Sequence, residues 1–328
     1  MNSRITLPLL WLFTSTVSVA QTPAPLTIEA RIPLGAVKGR IDHLAIDIAR
    51  QRLFVAELGN DTVGVVDLAT RSILRRLSGL DEPQGIAYMP STDTLYVANG
   101  GDGSLRIFRG AELTSVQTVS LGDDADNVRI DHERRQIYVG YGSGALALID
   151  PTTHQRTANI ALKGHPESFQ LDASGSRIYV NVPDAHEIAV IDRKTNKQVA
   201  SWPTGELRAN YPMAVDESSQ RLLTVFRQPA AVVAFGMPEG QKLTELRICG
   251  DADDIFRDAK RDRVYVSCGE GYVDILRPAG EKYVRIAQVK TVTGARTALF
   301  VPAADRLYLA VRANGSEPAA IWILKPAD

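Results

Sequence analysis

The sequence predicts an all-β chain folded as a seven-bladed β-propeller with four-stranded blades, and three observations carry that prediction. A short phrase built around an apolar residue, Tyr or Phe, and Val recurs along the chain, as in "RLFVAELGN", "TLYVANGGDG" and "RIYVNVPDAHE". Its third position falls at Phe54, Tyr96, Tyr138, Tyr179, Leu223, Tyr265 and Tyr308, so successive copies lie 41 to 44 residues apart. Within a copy the apolar residues alternate with period two. Finally, the last copy supplies only three strands, whereas "LTIEARIPL" at residues 26–34 is a strand with no partner ahead of it.

A fixed period of this length marks a repeat architecture. In the fourth copy "SFQLD", "RIYVNV", "EIAVID" and "KQVASWP" are four short runs rich in Val, Ile and aromatics, punctuated by Gly, Pro, Asp and Asn. Four strands per unit is the arithmetic of a propeller blade. A helical solenoid would require 3.6-residue periodicity, which is missing. The unpartnered strand at 26–34 is expected to become the outer strand of blade seven. Closing the ring in this way removes the open edges that a stack of sheets would expose.

Residues 1–20 stand outside that ruler. Arg4 precedes a mostly apolar run, Ile5 to Phe13, and Ser18 and Ala20 occupy the −3 and −1 positions of a cleavage site before Gln21. This is the pattern of a secretory signal peptide, and the run is too short to span a bilayer. The expectation is a single propeller domain over 21–328, exported to the periplasm or secreted after cleavage near Ala20, without a membrane span and monomeric. Lys and Arg number 37 against 38 Asp and Glu, a net charge of −1, with the basic residues dispersed. Nothing here forms the basic groove that a nucleic acid partner would need.

The wording of two stretches, "VANGGDGSLRIF" and "EIAVIDRKTNKQVASWPTG", resembles the YVTN-repeat, YncE-like seven-bladed propellers of exported bacterial proteins. The resemblance runs over residues 24–328. It implies the fold, export and a binding role; more distant propellers include lactonases and lyases, so the fold alone selects no chemistry.

Propeller geometry sorts the polar residues. Strand A, the first of each blade, lines the channel, and the D–A and B–C connections share one face, here the top. Asp47, Asp131, Asp172, Asp216 and Asp258 end strand A, and Asp67, Asp150 and Asp192 end strand C, each followed three residues later by Thr70, Thr153 or Thr195. Repeated at bottom turns, these aspartates are expected to accept turn N–H groups and serve structure alone. His132, His154 and His186 fall in turns and are expected at the surface.

The start of strand A differs from blade to blade. Five residues before the strand-end position stand Asp42, Gln84, Asp126, Glu167, Tyr211, Asp253 and Thr297. Around them lie Arg40, His43, Glu82, Asp124, Asn127, His165, Asn210, Asp251, Asp254 and Arg296, and the B–C connections add Glu57, Asn99, Tyr141, Arg227, Glu270 and Arg312. A turn device would repeat one residue; varied donors and acceptors around a common axis suit an asymmetric polar molecule. The expected ligand-binding set is Arg40, Asp42, His43, Gln84, Asp126, Asn127, His165, Glu167, Asn210, Tyr211, Asp253, Asp254 and Arg296. The arginines make an anionic ligand an option beside a neutral polar one, and a periplasmic protein could occupy the same face.

For catalysis the candidates are His43, His165 and Glu167 as acid or base. Ser168 near His165 and Glu167 superficially suggests a triad, but sequence adjacency is not triad geometry. No D-x-D-x-D-G, H-E-x-x-H or C-x-x-C motif occurs. A divalent cation, Ca²⁺ or Mg²⁺, therefore rests on Asp251, Asp253 and Asp254 with neighbouring blades. The near-identical phrases "GDDADNVRID" and "CGDADDIFRD" stand three blades apart, so they cannot chelate one small ion together. Cys249, just ahead of a top connection, and Cys268, ending a strand B at the same face, are expected to form a disulfide.

Overall fold

Seven four-stranded antiparallel sheets follow one another around a ring, each built from four strands consecutive in sequence except the last. The computed structural model describes residues 24–173, 175–315 and 317–328; the expected leader, 1–20, lies outside the described residues. Strands are numbered in chain order. The innermost are β2 (Leu44–Asp47), β6 (Pro83–Met89), β10 (Ala125–Asp131), β14 (Phe169–Leu171), β18 (Arg208–Asp216), β22 (Ala252–Asp258) and β26 (Ala298–Val301). In the seventh sheet β1 (Leu26–Pro33) pairs antiparallel with β28 (Ala320–Pro326), from Leu26↔Pro326 to Pro33↔Ala320. The ring therefore closes through the N-terminal strand. Among the described residues no helix is long and apolar enough to cross a membrane.

The recurring phrase forms the seams between blades. Phe54 packs with Leu95 and Val97, Tyr96 with Ile137 and Val139, and Tyr138 with Ile178 and Val180. Tyr179 meets Leu222 and Phe226, Leu223 meets Val264 and Val266, Tyr265 meets Leu307 and Leu309, and Tyr308 meets Leu53 and Val55. Each of these side chains belongs to one blade and is buried against the next. At about 2–3 kcal/mol per fully buried large side chain, the period of the sequence is the period of the inter-blade core.

The bottom-face aspartates do the turn work expected of them. The Thr70, Thr153 and Thr195 amides donate to Asp67, Asp150 and Asp192 at 2.9, 2.7 and 2.8 Å. The Arg50 amide donates to Asp47, and the Arg134 amide to Asp131. Arginines then tie this layer across blades. Arg50 joins Asp47 to Asp93, buried Arg193 pairs with Asp131, and Arg261 joins Asp258 to Asp305.

One turn residue departs from expectation. His132 and His186 are exposed, but His154 is buried. Its turn folds over the preceding blade, placing the imidazole against the Tyr96 ring and 3.1 Å from Arg109 Nη2. Burial, aided by the Arg109 charge, pushes its pKa down.

Cys249 and Cys268 are joined, with Cα atoms 5.9 Å apart, and both side chains are buried. The bond ties the connection between blades five and six to β23 (Arg263–Cys268), next to the segment carrying Asp251 and Asp253. Across a sequence separation of 19, the chain-entropy effect amounts to about 3 kcal/mol. Replacing both cysteines by serine is expected to lower unfolding free energy by roughly that amount in urea titrations. Equal midpoints for parent and double variant would count against this contribution.

Candidate functional site

Backbone irregularity at the top of the inner strands builds the site. The β6, β10, β18 and β22 ladders each shift register near their start, between Pro83 and Ile86, Ala125 and Val128, Asn210 and Met213, and Ala252 and Asp254. A bulge frees residues from the ladder and re-aims their side chains. Those freed are Gln84, Asp126, Asn127, Tyr211 and Asp253. In blades one and four the inner strands begin only at Leu44 and Phe169, leaving Asp42, His43, Glu167 and Ser168 on the lip. The inner strands stand close here: a Cβ on Gly85 would lie 2.1 Å from the Asp126 carbonyl oxygen, so only glycine fits.

These residues enclose a cavity of about 400 Å³ at the mouth, lined by Arg40, Asp42, His43, Gln84, Asp124, Asp126, Asn127, His165, Glu167, Ser168, Tyr211, Arg227, Asp253 and Arg296. Apart from the two imidazoles, Tyr211 supplies the one ring among them, and no aliphatic side chain contributes. Two expected residues lie elsewhere. Asn210 is buried and its amide donates to Asn181 Oδ1 and the Glu187 carbonyl, both at 3.2 Å, so it fastens blade four to blade five. Asp254, one residue past the bulge, accepts from the Ala298 amide at 2.8 Å outside the lining. Burial, reinforced by neighbouring Asp253, holds its pKa well above the usual carboxylate range.

The arginines are engaged from within. Arg40 Nη2 donates to Asp42 Oδ2 at 2.5 Å. Arg227 pairs with Asp253, donates from Nε to the Ala252 carbonyl at 2.8 Å, and lies 4.3 Å over the Tyr211 ring. Arg296 donates to Asp251 Oδ1 at 2.6 Å and sits 3.3 Å from Asp253 Oδ2. This network also bears on the cation expected at Asp251, Asp253 and Asp254. The first two carboxylates face guanidiniums and the third a backbone amide, so the trio does not converge on a common point. Among the described residues no group of three or more His, Cys, Asp or Glu side chains is arranged to hold a metal ion.

The other half of the mouth is different. Asp126 and Asn127 are 7 % and 2 % exposed, yet Asp126 Oδ1 and Asn127 Oδ1 have no hydrogen-bond partner. Asn127 Nδ2 donates to Asp126 Oδ2 at 3.2 Å. His43 Nε2 stands 3.8 Å from Asp42 Oδ1 and 3.9 Å from Asp126 Oδ1. His165 Nδ1 lies 2.7 Å from the Gly142 carbonyl, which can only accept; this nitrogen carries a proton and leaves Nε2 for other work. Burial pushes Asp126 up to about 7, with Asp42 and Glu167 adding repulsion and His43 and His165 opposing it. Burial likewise pushes Glu167 up to about 7, with Asp253 the largest neighbouring charge and Arg227 opposing.

The repeated phrases can now be told apart residue by residue. Asp124 and Asp251 both take left-handed backbone, φ +35° and +57°, a conformation Asp tolerates better than most residues. Two positions on, Asp126 and Asp253 face the mouth. Asp124, Ser168 and Arg227 line the cavity without belonging to the expected set. Arg227 had one readable signal: it is a long cation, shared only with Arg312, at a B–C position where three copies carry glycine, Gly100, Gly142 and Gly269.

Neither a protein-family model nor a curated protein sequence matches the chain. Solved structures do. A chain of "Kuenenia stuttgartiensis Hydrazine Synthase" is similar with TM-score 0.74 at 16% identity, over 84% of this chain and 94% of that one. A chain of "Crystal Structure of Mitotic Checkpoint Complex" is similar with TM-score 0.77 at 13% identity, over 99% of this chain and 100% of that one. At such identities the likeness establishes the fold alone: this chain is a seven-bladed β-propeller.

Proposed function

We propose that the protein is an exported, YncE-like propeller that binds a small polar molecule at the top mouth of its channel. The observation carrying this is the pair of buried, unpartnered acceptors, Asp126 Oδ1 and Asn127 Oδ1, in the wall of a polar cavity. Leaving such atoms unsatisfied costs about 1–3 kcal/mol each, and a bound molecule offering donors removes that cost. Export is supported by the leader-like residues 1–20 and by the disulfide, which suits an oxidising compartment. A protein partner on the top face would meet the same donors and acceptors.

A panel of polyols, amines and carboxylates in thermal-shift assays tests this, since a ligand of the native state raises the melting temperature. Affinity is expected to fall at least tenfold in Glu167→Ala, Asp253→Ala and Arg296→Ala. If all three bind like the parent while a bottom-face change such as Asp150→Ala abolishes binding, the site is misplaced.

A second reading, a channel-mouth enzyme of the hydrolase, lactonase or lyase type, is favoured by one observation. Two carboxyls poised near neutrality, Asp126 and Glu167, share the cavity with His43 and His165. Such groups can give or take a proton at neutral pH. A metal-assisted version does not fit the carboxylates at Asp251, Asp253 and Asp254.

A further inference from the structure

We propose that the molecule bound at the mouth carries an organic ammonium group, seated against Asp126, Asn127 and Glu167. This rests on the binding role above and names the class of ligand.

Charge balance is the first reason. Five carboxyl groups line the cavity against three guanidiniums, and each guanidinium already faces a carboxylate of the protein. An anion would have to compete with Asp42, Asp251 and Asp253 for Arg40, Arg227 and Arg296, and would bring further negative charge to a mouth already rich in it. The buried, unpartnered atoms of the lining are the second reason, and both are acceptors. Asp126 Oδ1 and Asn127 Oδ1 are buried acceptors without donors. No described side chain donates to the Glu167 carboxylate, which also lines the cavity. An ammonium is three donors and one positive charge, with no acceptor. It can satisfy several of these oxygens at once and relieve the repulsion among carboxyls crowded in a poorly solvated space. A hydroxyl supplies one donor and no charge. The Arg-paired half of the mouth is left to hold whatever polar remainder the molecule carries.

Proton release gives an independent signature. Besides each other, the groups facing Asp126 and Glu167 are Asp42, Asp124, Asp253, His43, His165, Arg129 and Arg227. With both carboxyls near half-protonation at pH 7, an arriving cation favours their ionised forms and expels protons.

Three four-carbon probes separate the classes: 1,4-diaminobutane, 1,4-butanediol and succinate, titrated by calorimetry at pH 7 in about 0.15 M salt. Repeating the titrations in two buffers of different ionisation enthalpy reads the protons. The diamine is expected to bind at least tenfold more tightly than the diol, to release protons, and to lose at least tenfold in both Glu167→Gln and Asp126→Asn, near-isosteric variants whose folding is checked by melting. Succinate is expected not to bind. Equal binding of diol and diamine, preference for succinate, response to CaCl₂ alone, or no binding of the diamine up to about 10 mM would overturn the ammonium assignment. If diol or succinate binding is lost in Glu167→Ala, the mouth remains the binding site and only the ligand class falls. If no panel compound binds, the binding role falls with it.

Discussion

A chain beginning at Gly35 is expected to lose cooperative folding of the whole ring, not merely to fray at one end. Removing β1 strips the outer strand from blade seven and exposes the edge of β28 along the pairing from Leu26↔Pro326 to Pro33↔Ala320. It also deletes Ile32 and Leu34, which are fully buried in the seam between blades seven and one beside Leu53, Val55, Tyr308 and Ile321. Leu26, buried against the seam of blades six and seven, goes with them. Three buried aliphatic side chains at about 1.5–3 kcal/mol each amount to about 4.5–9 kcal/mol, the lower half of the roughly 5–15 kcal/mol by which a typical domain is stable. The expected result is insoluble protein, or a melting temperature lowered by about 10 °C or more. Melting indistinguishable from that of a chain beginning at residue 24 would remove the closure argument.

The opposite sign is expected at the mouth. Glu167→Gln and Asp126→Asn should each stabilise the fold at pH 8 by up to about 3–4 kcal/mol while weakening ligand binding. In the native state burial lifts these carboxyls to about 7, against ordinary values of 4.5 and 3.8. Between pH 4 and 7 the folded protein therefore holds protons that the unfolded chain has released, so their contribution to stability falls as pH rises through this window. Above about pH 7 the loss is complete. An amide has no such pH dependence, so the advantage of each variant should grow from pH 4 to 7 and then level off. The carboxyls raise one another's pKa, so the double variant should gain less than the sum. Urea titrations at pH 4.5 and 8 decide it: a variant less stable than the parent at pH 8 would mean that the carboxylate has a stabilising partner. Stability gained while binding is lost is the expected mark of a site kept for function.

Much of the fold was legible because its cause is local and repeated. The aromatic third position of each copy marks a seam, the Asp-x-x-Thr turns mark the bottom, and the unpartnered strand at 26–34 announces closure. Each follows from side-chain alternation, turn chemistry or a count of strands. Cys249 and Cys268 could be placed at one face on the same ruler. His154 could not be, because its burial depends on how one blade's turn lies over the next.

For the site, the sequence determined which face would be varied and polar, since position along the repeat fixes height along the channel axis. It could not determine which side chains of a strand point inward. Period-two alternation gives one answer for a regular strand, whereas the bulges at Gln84, Asp126–Asn127, Tyr211 and Asp253 give another. Asn210 consequently turned toward the seam of blades four and five, and Asp254 toward the Ala298 amide. Nor could it determine how the charges would pair. Arg227 and Arg296 meet Asp251 and Asp253 only because blades five, six and seven curve around one axis. That pairing is a property of the closed ring and not of any one blade, as are the buried oxygens of Asp126 and Asn127 left without partners.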